Sequence, residues 1–212
     1  MKSSLQKLSI KLLLVTASVA SLSACFPVVL GGAMMGGLVA IDRRTAGTQL
    51  EDEGIELRAS SRVRDNLGDR GHINITSYNR QVLLTGEMPS AQDKQLAEQV
   101  VSQVANVRVI VNELAVLGNT TLTQRTSDTI TTGRVKAGLV DVKELYASAF
   151  KVVTERGTTY LMGRVTQREA DLATEVARST SGVQKVVRIF EIISESELQS
   201  MLPQPASNEV KK

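Results

Sequence analysis

The sequence has little of several residue types on which common functional sites depend. Its 212 residues include no Trp, 3% aromatic residues, one Cys and one His. A single Cys excludes an intramolecular disulfide, and Cys25 with His72 cannot make a zinc site of the Cys/His type, so the sequence predicts no metal site. Because aromatics are scarce, the core must be aliphatic, and binding of nucleic acid by base stacking is disfavoured.

The positive net charge of the chain is also misleading. The formal charge is +3, but Lys2, Lys7 and Lys11 all precede the first acidic residue, Asp42. Without these three lysines, 22 of the 25 basic residues remain against 22 acidic ones. A neutral remainder gives no reason to expect nucleic acid as a partner.

Motifs of common enzymes are missing as well. The sequence contains no phosphate-binding Walker loop, no GxSxG and no HExxH. His72 stands beside Gly71 with no Ser or Asp pattern around it, which is typical of a surface or structural histidine. We therefore predict a non-enzymatic protein with no catalytic residues and no cofactor.

Residues 1–24 are typical of a secretory signal peptide, with a basic start, an apolar run and small residues before Cys25. Leu22–Cys25 resembles the lipobox of bacterial lipoproteins, which implies cleavage before Cys25 and its lipidation. By the enterobacterial sorting rule, Phe26 in place of Asp implies anchoring in the outer membrane, and we expect its periplasmic face. A transmembrane anchor is the alternative, because residues 12–41 are uncharged, although Pro27 and a Gly-rich patch disfavour it.

One pattern occurs twice in the rest of the chain. Each copy has a hairpin whose second strand ends at a glycine, Gly86 in the first copy and Gly163 in the second. A Ser/Thr-x-x-acid motif follows each glycine and predicts a helix start, at Ser90–Asp93 and at Thr166–Glu169. We expect both glycines to let the backbone approach the next helix closely. An apolar stripe with helical spacing and then a β-branched strand complete each copy.

A further helix is predicted before each hairpin, over about residues 56–67 and 128–140. Here Val63 and Leu67 are matched with Val135 and Leu139. The third strand returns over a helix, so it can pair in parallel with a strand of the antiparallel hairpin. We predict an α+β fold of two tandem αββαβ domains, each with a small mixed sheet and two helices on one face.

The two copies resemble BON domains, small modules of bacterial outer-membrane and periplasmic proteins. The residues that carry the resemblance are Tyr78–Gly86 and Asn106–Leu114 in the first copy, and Tyr160–Thr166 and Ser181–Val183 in the second. With the lipobox, the resemblance is to dual-BON outer-membrane lipoproteins. It implies binding of anionic phospholipid, such as phosphatidylglycerol or cardiolipin, through the second BON domain, with support of outer-membrane integrity and concentration at division sites.

The two copies differ in charge. Residues 47–118 contain 7 basic and 10 acidic residues, whereas residues 125–193 contain 11 basic and 8 acidic ones. Each basic group close to an anionic membrane contributes about 1 kcal/mol of attraction. The second copy is therefore the one that such a membrane would attract, unless these are ordinary solvated charges.

The first helix of the second copy predicts an exposed, lipid-binding face. The expected core stripe is Thr132, Val135 and Leu139. The lipid-binding residues on another face are predicted to be Ile130, Gly133, Arg134, Ala137 and Val140, with Lys136 as a nearby charge. Ile130 is matched with Arg58 of the first copy, which favours exposure; the alternative is that Ile130 packs against the first copy. In members of the resembled family an aromatic residue takes this place, so Ile130 should bind lipid more weakly.

These features divide the chain into five segments. They are a signal peptide at 1–24, a lipidated N-terminus and tether at 25–50, BON domains at 51–118 and 125–194, and a disordered tail at 199–212. An alternative function is that of a protein-interaction module, which would dock onto envelope biogenesis machinery through a sheet edge or the surface between the domains.

Overall fold

The computed structural model of the protein describes residues 42–201. They form two tandem domains with the predicted α+β architecture. The predicted signal peptide, Cys25 and most of the predicted tether lie outside the described residues. Among the helices that are described, none combines the length and the hydropathy needed to cross a bilayer.

The first domain contains two helices and four strands. These are α1 (Ala46–Leu67), β1 (His72–Tyr78), β2 (Gln81–Met88), α2 (Ala91–Ser102), β3 (Val109–Asn112) and β4 (Ala115–Val116). Strand β2 pairs antiparallel with β1 on one side, and in parallel with β3 and then β4 on the other. The predicted αββαβ order is confirmed, and the short strand β4 adds to it.

The second domain repeats this order. Its elements are α3 (Leu122–Asp141), β5 (Phe150–Glu155), β6 (Thr158–Val165), α4 (Gln167–Ser179) and β7 (Lys185–Ile192). Strand β6 lies in the middle, antiparallel to β5 and parallel to β7. A single 3-10 turn, Ala147–Ala149, precedes β5, and helix α5 (Glu195–Met201) follows β7.

Hydroxyl side chains begin the helices. Thr166 and Glu169 form the predicted reciprocal capping box at α4, and Ser90 accepts a hydrogen bond from the backbone N–H of Asp93 at α2. Helices α1 and α3 begin about two turns or more earlier than predicted, because Thr45 and Thr121 cap them. The apolar stripe used for the prediction covers only the later part of each helix.

Each domain packs its two long helices on one face of its sheet, as predicted. The core of the first domain joins α1, β2 and α2 through Ile55, Ala59, Val63, Val82, Leu84, Ala97 and Val101. The core of the second joins α3, β5, β6 and α4 through Val135, Leu139, Val152, Leu161, Ala170 and Ala173. The predicted stripe of α3 needs one correction, because Thr131 is buried and Thr132 only half-buried.

The other faces of the two sheets pack against each other. The buried residues at this contact are Tyr78, Leu83, Tyr160, Met162 and Ile189. The hydroxyl of Tyr78 also donates a hydrogen bond to the carbonyl oxygen of Ala149, at 3.1 Å. Each sheet is therefore covered on both faces, and the two small domains share a third buried apolar cluster.

The glycines near the ends of β2 and β6 allow close backbone contacts with the residues that precede them in the hairpins. This corrects the expectation that they allow close approach of the next helix. A Cβ on Gly86 would lie 2.0 Å from the carbonyl oxygen of His72, and Gly86 has a φ of 114°. A Cβ on Gly163 would lie 2.6 Å from the carbonyl oxygen of Ala149. The close approach is thus to the preceding strand or turn and not to the next helix.

Two predicted boundaries also need correction. The tether was expected to extend to residue 50, but residues 46–50 belong to α1, and Arg43 and Arg44 before it are held by the domains. The disordered tail was expected from residue 199, but residues 199–201 are the last turn of α5, which buries Leu198. Both differences arise because contacts with distant parts of the chain order segments that look polar locally.

Candidate functional site

The predicted lipid-binding residues share one exposed face of α3. Ile130 is 50% exposed and Val140 is 65% exposed, and Gly133, Arg134 and Ala137 between them are exposed as well. They recur at spacings of three and four residues and so form one stripe along the helix. The expected exposure of Ile130 is confirmed. The alternative, that Ile130 packs against the first domain and is buried there, is wrong.

An aspartate fixes which face of α3 points outward. Both carboxylate oxygens of Asp128 are used: Oδ2 accepts from the backbone N–H of Arg156 at 2.8 Å, and Oδ1 from that of Gly157 at 2.9 Å. These amides belong to the tight turn between β5 and β6, where both residues have positive φ. Because Asp128 and Ile130 are two residues apart on a helix, holding one inward directs the other to solvent.

The first domain has the same interaction between an aspartate of its first helix and the turn of its hairpin. Asp52 of α1 accepts hydrogen bonds at 2.7 Å from the backbone N–H groups of Asn79 and Arg80, the central residues of the β1–β2 turn. It also accepts from the hydroxyl of Ser77. Asp52 and Asp128 are therefore equivalent, and the two helices must be aligned through them.

This alignment corrects the predicted match between the helices. With Asp52 on Asp128, Ile130 corresponds to Gly54 and not to Arg58, while Arg58 corresponds to Arg134. The predicted pairing was displaced by one helical turn. The exposure of Ile130 was therefore predicted correctly from a wrong counterpart.

The charges beside the exposed stripe are unpaired in the described part of the chain. Arg134 and Lys136 form no ion pair with any residue of 42–201. Arg125, one turn before Asp128, donates a hydrogen bond to the hydroxyl of Thr120. Free guanidinium and ammonium groups next to exposed aliphatic side chains can meet phosphate groups while the aliphatic groups enter the acyl boundary.

Comparison with known proteins agrees with this architecture. The BON domain family matches residues 52–118 and 127–193. The chain belongs to the BON-domain family. The limits of the two matches agree closely with BON domains 1 and 2 as the structure has them.

Two relatives resemble most of the chain. The outer membrane lipoprotein DolP of Haemophilus influenzae is 33% identical over 185 residues, which is 86% of this chain and 96% of that protein. A 21 kDa hemolysin of Actinobacillus pleuropneumoniae is 32% identical over 155 residues, 72% of this chain and 80% of that one. This similarity confirms a dual BON-domain lipoprotein located at the outer membrane through a lipid anchor.

One solved structure also aligns with the chain. It is the C-terminal domain of CdsD, a structural protein of the type III secretion system of Chlamydia trachomatis, with a TM-score of 0.28 and 11% identity over 71% of this chain. A likeness of this size carries no information on function.

The exposed stripe extends further than the sequence indicated. Leu122, the first residue of α3, is 80% exposed and lies two turns before Ile130 on the same side of the helix. With Thr126 and Ser127 it lines a shallow groove that ends at Ile130 and Arg134. The signal for it was present, since Thr121 is a good helix cap and Leu122 stands eight residues before Ile130. We call Leu122, Ile130, Arg134, Ala137 and Val140 the α3 stripe.

The segment before α1 holds the two BON domains together. Arg43 is buried; it donates to both carboxylate oxygens of Glu169, at 2.5 and 2.8 Å, and to the carbonyl oxygen of Arg164. Arg44 pairs with Asp52 at 2.7 Å and lies over the ring of Tyr78. One arginine thus binds BON domain 2 and the next binds BON domain 1.

The pKa values of these groups reflect their pairing. Burial alone would raise the pKa of Glu169, but the hydrogen bonds from Arg43 and Thr166 outweigh it and bring the pKa below its ordinary value. Burial likewise disfavours the Arg44 cation, yet hydrogen bonds to Asp42 and Asp52 raise its pKa overall. Glu169 and Arg44 therefore stay charged at neutral pH, and the segment before α1 remains bound to both domains through ion pairs.

Proposed function

We propose that the protein is a non-enzymatic, lipid-anchored component of the outer membrane that binds anionic phospholipid through the α3 stripe of BON domain 2. The acylated Cys25 would hold it on the periplasmic face, and phosphatidylglycerol and cardiolipin are the headgroups we expect it to bind. A role in outer-membrane integrity and at division sites follows from the family resemblance and is part of the proposal.

The observation that carries the proposal is the combination of exposed aliphatic and free basic groups on one helix face. Leu122, Ile130 and Val140 are half or more exposed, and Arg134 lies among them. Burying part of this apolar surface contributes about 25 cal/mol per Å², and each cation near an anionic surface about 1 kcal/mol. Neither contribution alone gives firm binding, but the acyl anchor keeps the stripe close to the bilayer, which raises its effective concentration.

The test is sedimentation with lipid vesicles. The acyl chains would carry the protein into any bilayer, so residues 26–212 without them are used. We expect sedimentation with vesicles that contain phosphatidylglycerol or cardiolipin, less of it as salt is raised, and little with pure phosphatidylcholine. Ile130→Asp should weaken binding by at least about tenfold, because a carboxylate replaces an inserted side chain and repels the headgroups.

BON domain 1 supplies a matched control. Leu57 is exposed on α1 as Ile130 is on α3, and Leu57→Asp makes the same chemical change on the equivalent helix. This variant should bind as the unmodified chain does. Equal binding to neutral and anionic vesicles, or equal losses in the two variants, would contradict the proposal.

The same variants distinguish a protein-interaction module. If the chain crosslinks in cells to one envelope protein at the same yield with and without Ile130→Asp, and the α3 stripe does not bind vesicles, the protein acts through a protein partner and not through lipid.

A further inference from the structure

Three ligand-type side chains meet between the two BON domains. His72 begins β1, Glu87 lies near the end of β2, and Glu155 ends β5 of the other domain. One nitrogen or oxygen atom from each lies within 4.8 Å of the others. His72 is the only histidine of the chain. No sequence pattern connects these residues, since two come from one domain and the third from the other.

Two buried polar atoms of the cluster have no hydrogen-bond partner in the described part of the protein. The side chain of Glu87 has no exposed surface, and its Oε1 atom accepts no hydrogen bond. The Nδ1 atom of His72 is also buried and unbonded. A buried carboxylate oxygen without a hydrogen-bond donor costs free energy, and a bound cation would offset that cost.

The distance between His72 and Glu87 suits a small cation. The Nδ1 atom of His72 lies 3.4 Å from Oε2 of Glu87. Two ligands that each lie about 2.1 Å from a tetrahedral zinc ion are themselves about 3.4 Å apart. One imidazole nitrogen with two carboxylates favours zinc over Mg²⁺ or Ca²⁺, which take oxygen ligands alone.

We propose that His72, Glu87 and Glu155 form a zinc site that joins the two BON domains. His72 and Glu155 line a cavity of about 230 Å³ that opens to solvent between the domains, which gives the ion a path and leaves room for water as a fourth ligand. Asn74 donates a hydrogen bond to Oε2 of Glu155 at 2.8 Å and so orients that carboxylate.

The neighbouring arginine does not block the site. The Nη1 atom of Arg156 lies 3.6 Å from Oε1 of Glu87, beyond hydrogen-bond distance, and its side chain is 40% exposed. It can move toward solvent when a divalent ion binds. The threonine that binds Glu87 from the other side, Thr120, donates from its amide and hydroxyl to Oε2 at 3.2 Å and holds the carboxylate in place.

The experiment is a zinc titration of the full chain, purified in detergent without a histidine tag and stripped of metal with a chelator. Calorimetry should give one site per chain, and zinc should raise the melting temperature. Loss of a group that merely orients a metal ligand weakens binding by about 10- to 100-fold, so His72→Ala and Glu155→Gln should each weaken it at least as much.

Glu191→Gln is the matched control. Glu191 also accepts a hydrogen bond from an asparagine of the other domain, Asn79, but lies outside the cluster. It should bind zinc as the unmodified chain does. Thermal melting in the presence of chelator shows whether each variant folds. If His72→Ala does not fold, the zinc affinity of Glu155→Gln tests the proposal. Zinc binding that persists in a folded cluster variant would belong to surface carboxylates and would overturn the proposal.

Discussion

Helices α1 and α3 occupy the same place in their domains and bury equivalent positions, yet their exposed faces differ in charge. Both expose large aliphatic side chains: Leu50 and Leu57 on α1, and Leu122 and Ile130 on α3. Helix α1 has five acidic residues against three basic ones, whereas α3 has two against three. The leucines of α1 are more exposed than Ile130, but Glu51 and Glu53 lie beside them.

The comparison shows that exposed apolar surface alone does not select a membrane. An anionic bilayer repels a leucine that is flanked by carboxylates and attracts an isoleucine one turn from Arg134, which has no ion-pair partner among residues 42–201. Two domains of one fold can therefore divide the work: BON domain 1 anchors the N-terminal segment through Asp52, and BON domain 2 presents the surface proposed for lipid.

The largest effect that separates the domains should come from the two turn-binding aspartates. Asp52→Ala removes four hydrogen bonds, one of them from Arg44, and leaves that half-buried cation with Asp42 but without its partner in α1. We expect a loss of about 3–5 kcal/mol in the free energy of unfolding. Asp128→Ala should cost about 2–3 kcal/mol, because its carboxylate binds two backbone amides and no cation. Urea unfolding checks this, and equal losses would mean that Arg44 adds nothing.

A somewhat smaller effect should come from the partner of Arg43 in BON domain 2. Glu169→Gln keeps the shape of the side chain but removes its charge, which should cost about 2–3 kcal/mol at pH 7. Since the folded pKa of Glu169 is lowered, its contribution is fully present above the ordinary value of 4.5 and is lost as the pH falls through the folded pKa. The difference between variant and unmodified chain should thus shrink as the pH is lowered below 4.5 in urea unfolding at several pH values. A constant difference would contradict the assignment.

The smallest effect should be a gain of lipid binding. Ile130→Trp introduces an aromatic ring with a polar edge, which favours the membrane interface, and should tighten binding to anionic vesicles by about 1 kcal/mol, or roughly fivefold. Leu57→Trp on α1 is the control and should leave vesicle binding unchanged. If both tryptophans tighten binding alike, the charge difference between the helices does not direct the protein to the membrane.

The parts of the fold that depend on neighbouring residues were predicted from the sequence. The hairpins, the capping box of Thr166 and Glu169 and the parallel third strands all follow from short patterns. The helix alignment could not be predicted in this way. A shift of one turn places Val63 on Val135 and Leu67 on Leu139, so these apolar pairs do not reveal the error. The contact of Asp128 with the distant β5–β6 turn fixes the true match.

The candidate sites also include residues that local sequence patterns predict and residues that they do not. The α3 stripe lies on one helix and its periodicity made it visible, apart from Leu122, which was lost with the early start of the helix. The meeting of His72 with Glu155 depends on how one sheet packs on the other, and no local pattern reports that.

The arginines before α1 have a mechanical consequence. Arg43 is fastened to one BON domain and Arg44 to the other, in consecutive residues. Any force that acts on the chain ahead of Asp42 is therefore transmitted to both domains through these two residues. Tension from the lipid anchor would therefore pull on the two domains as a unit.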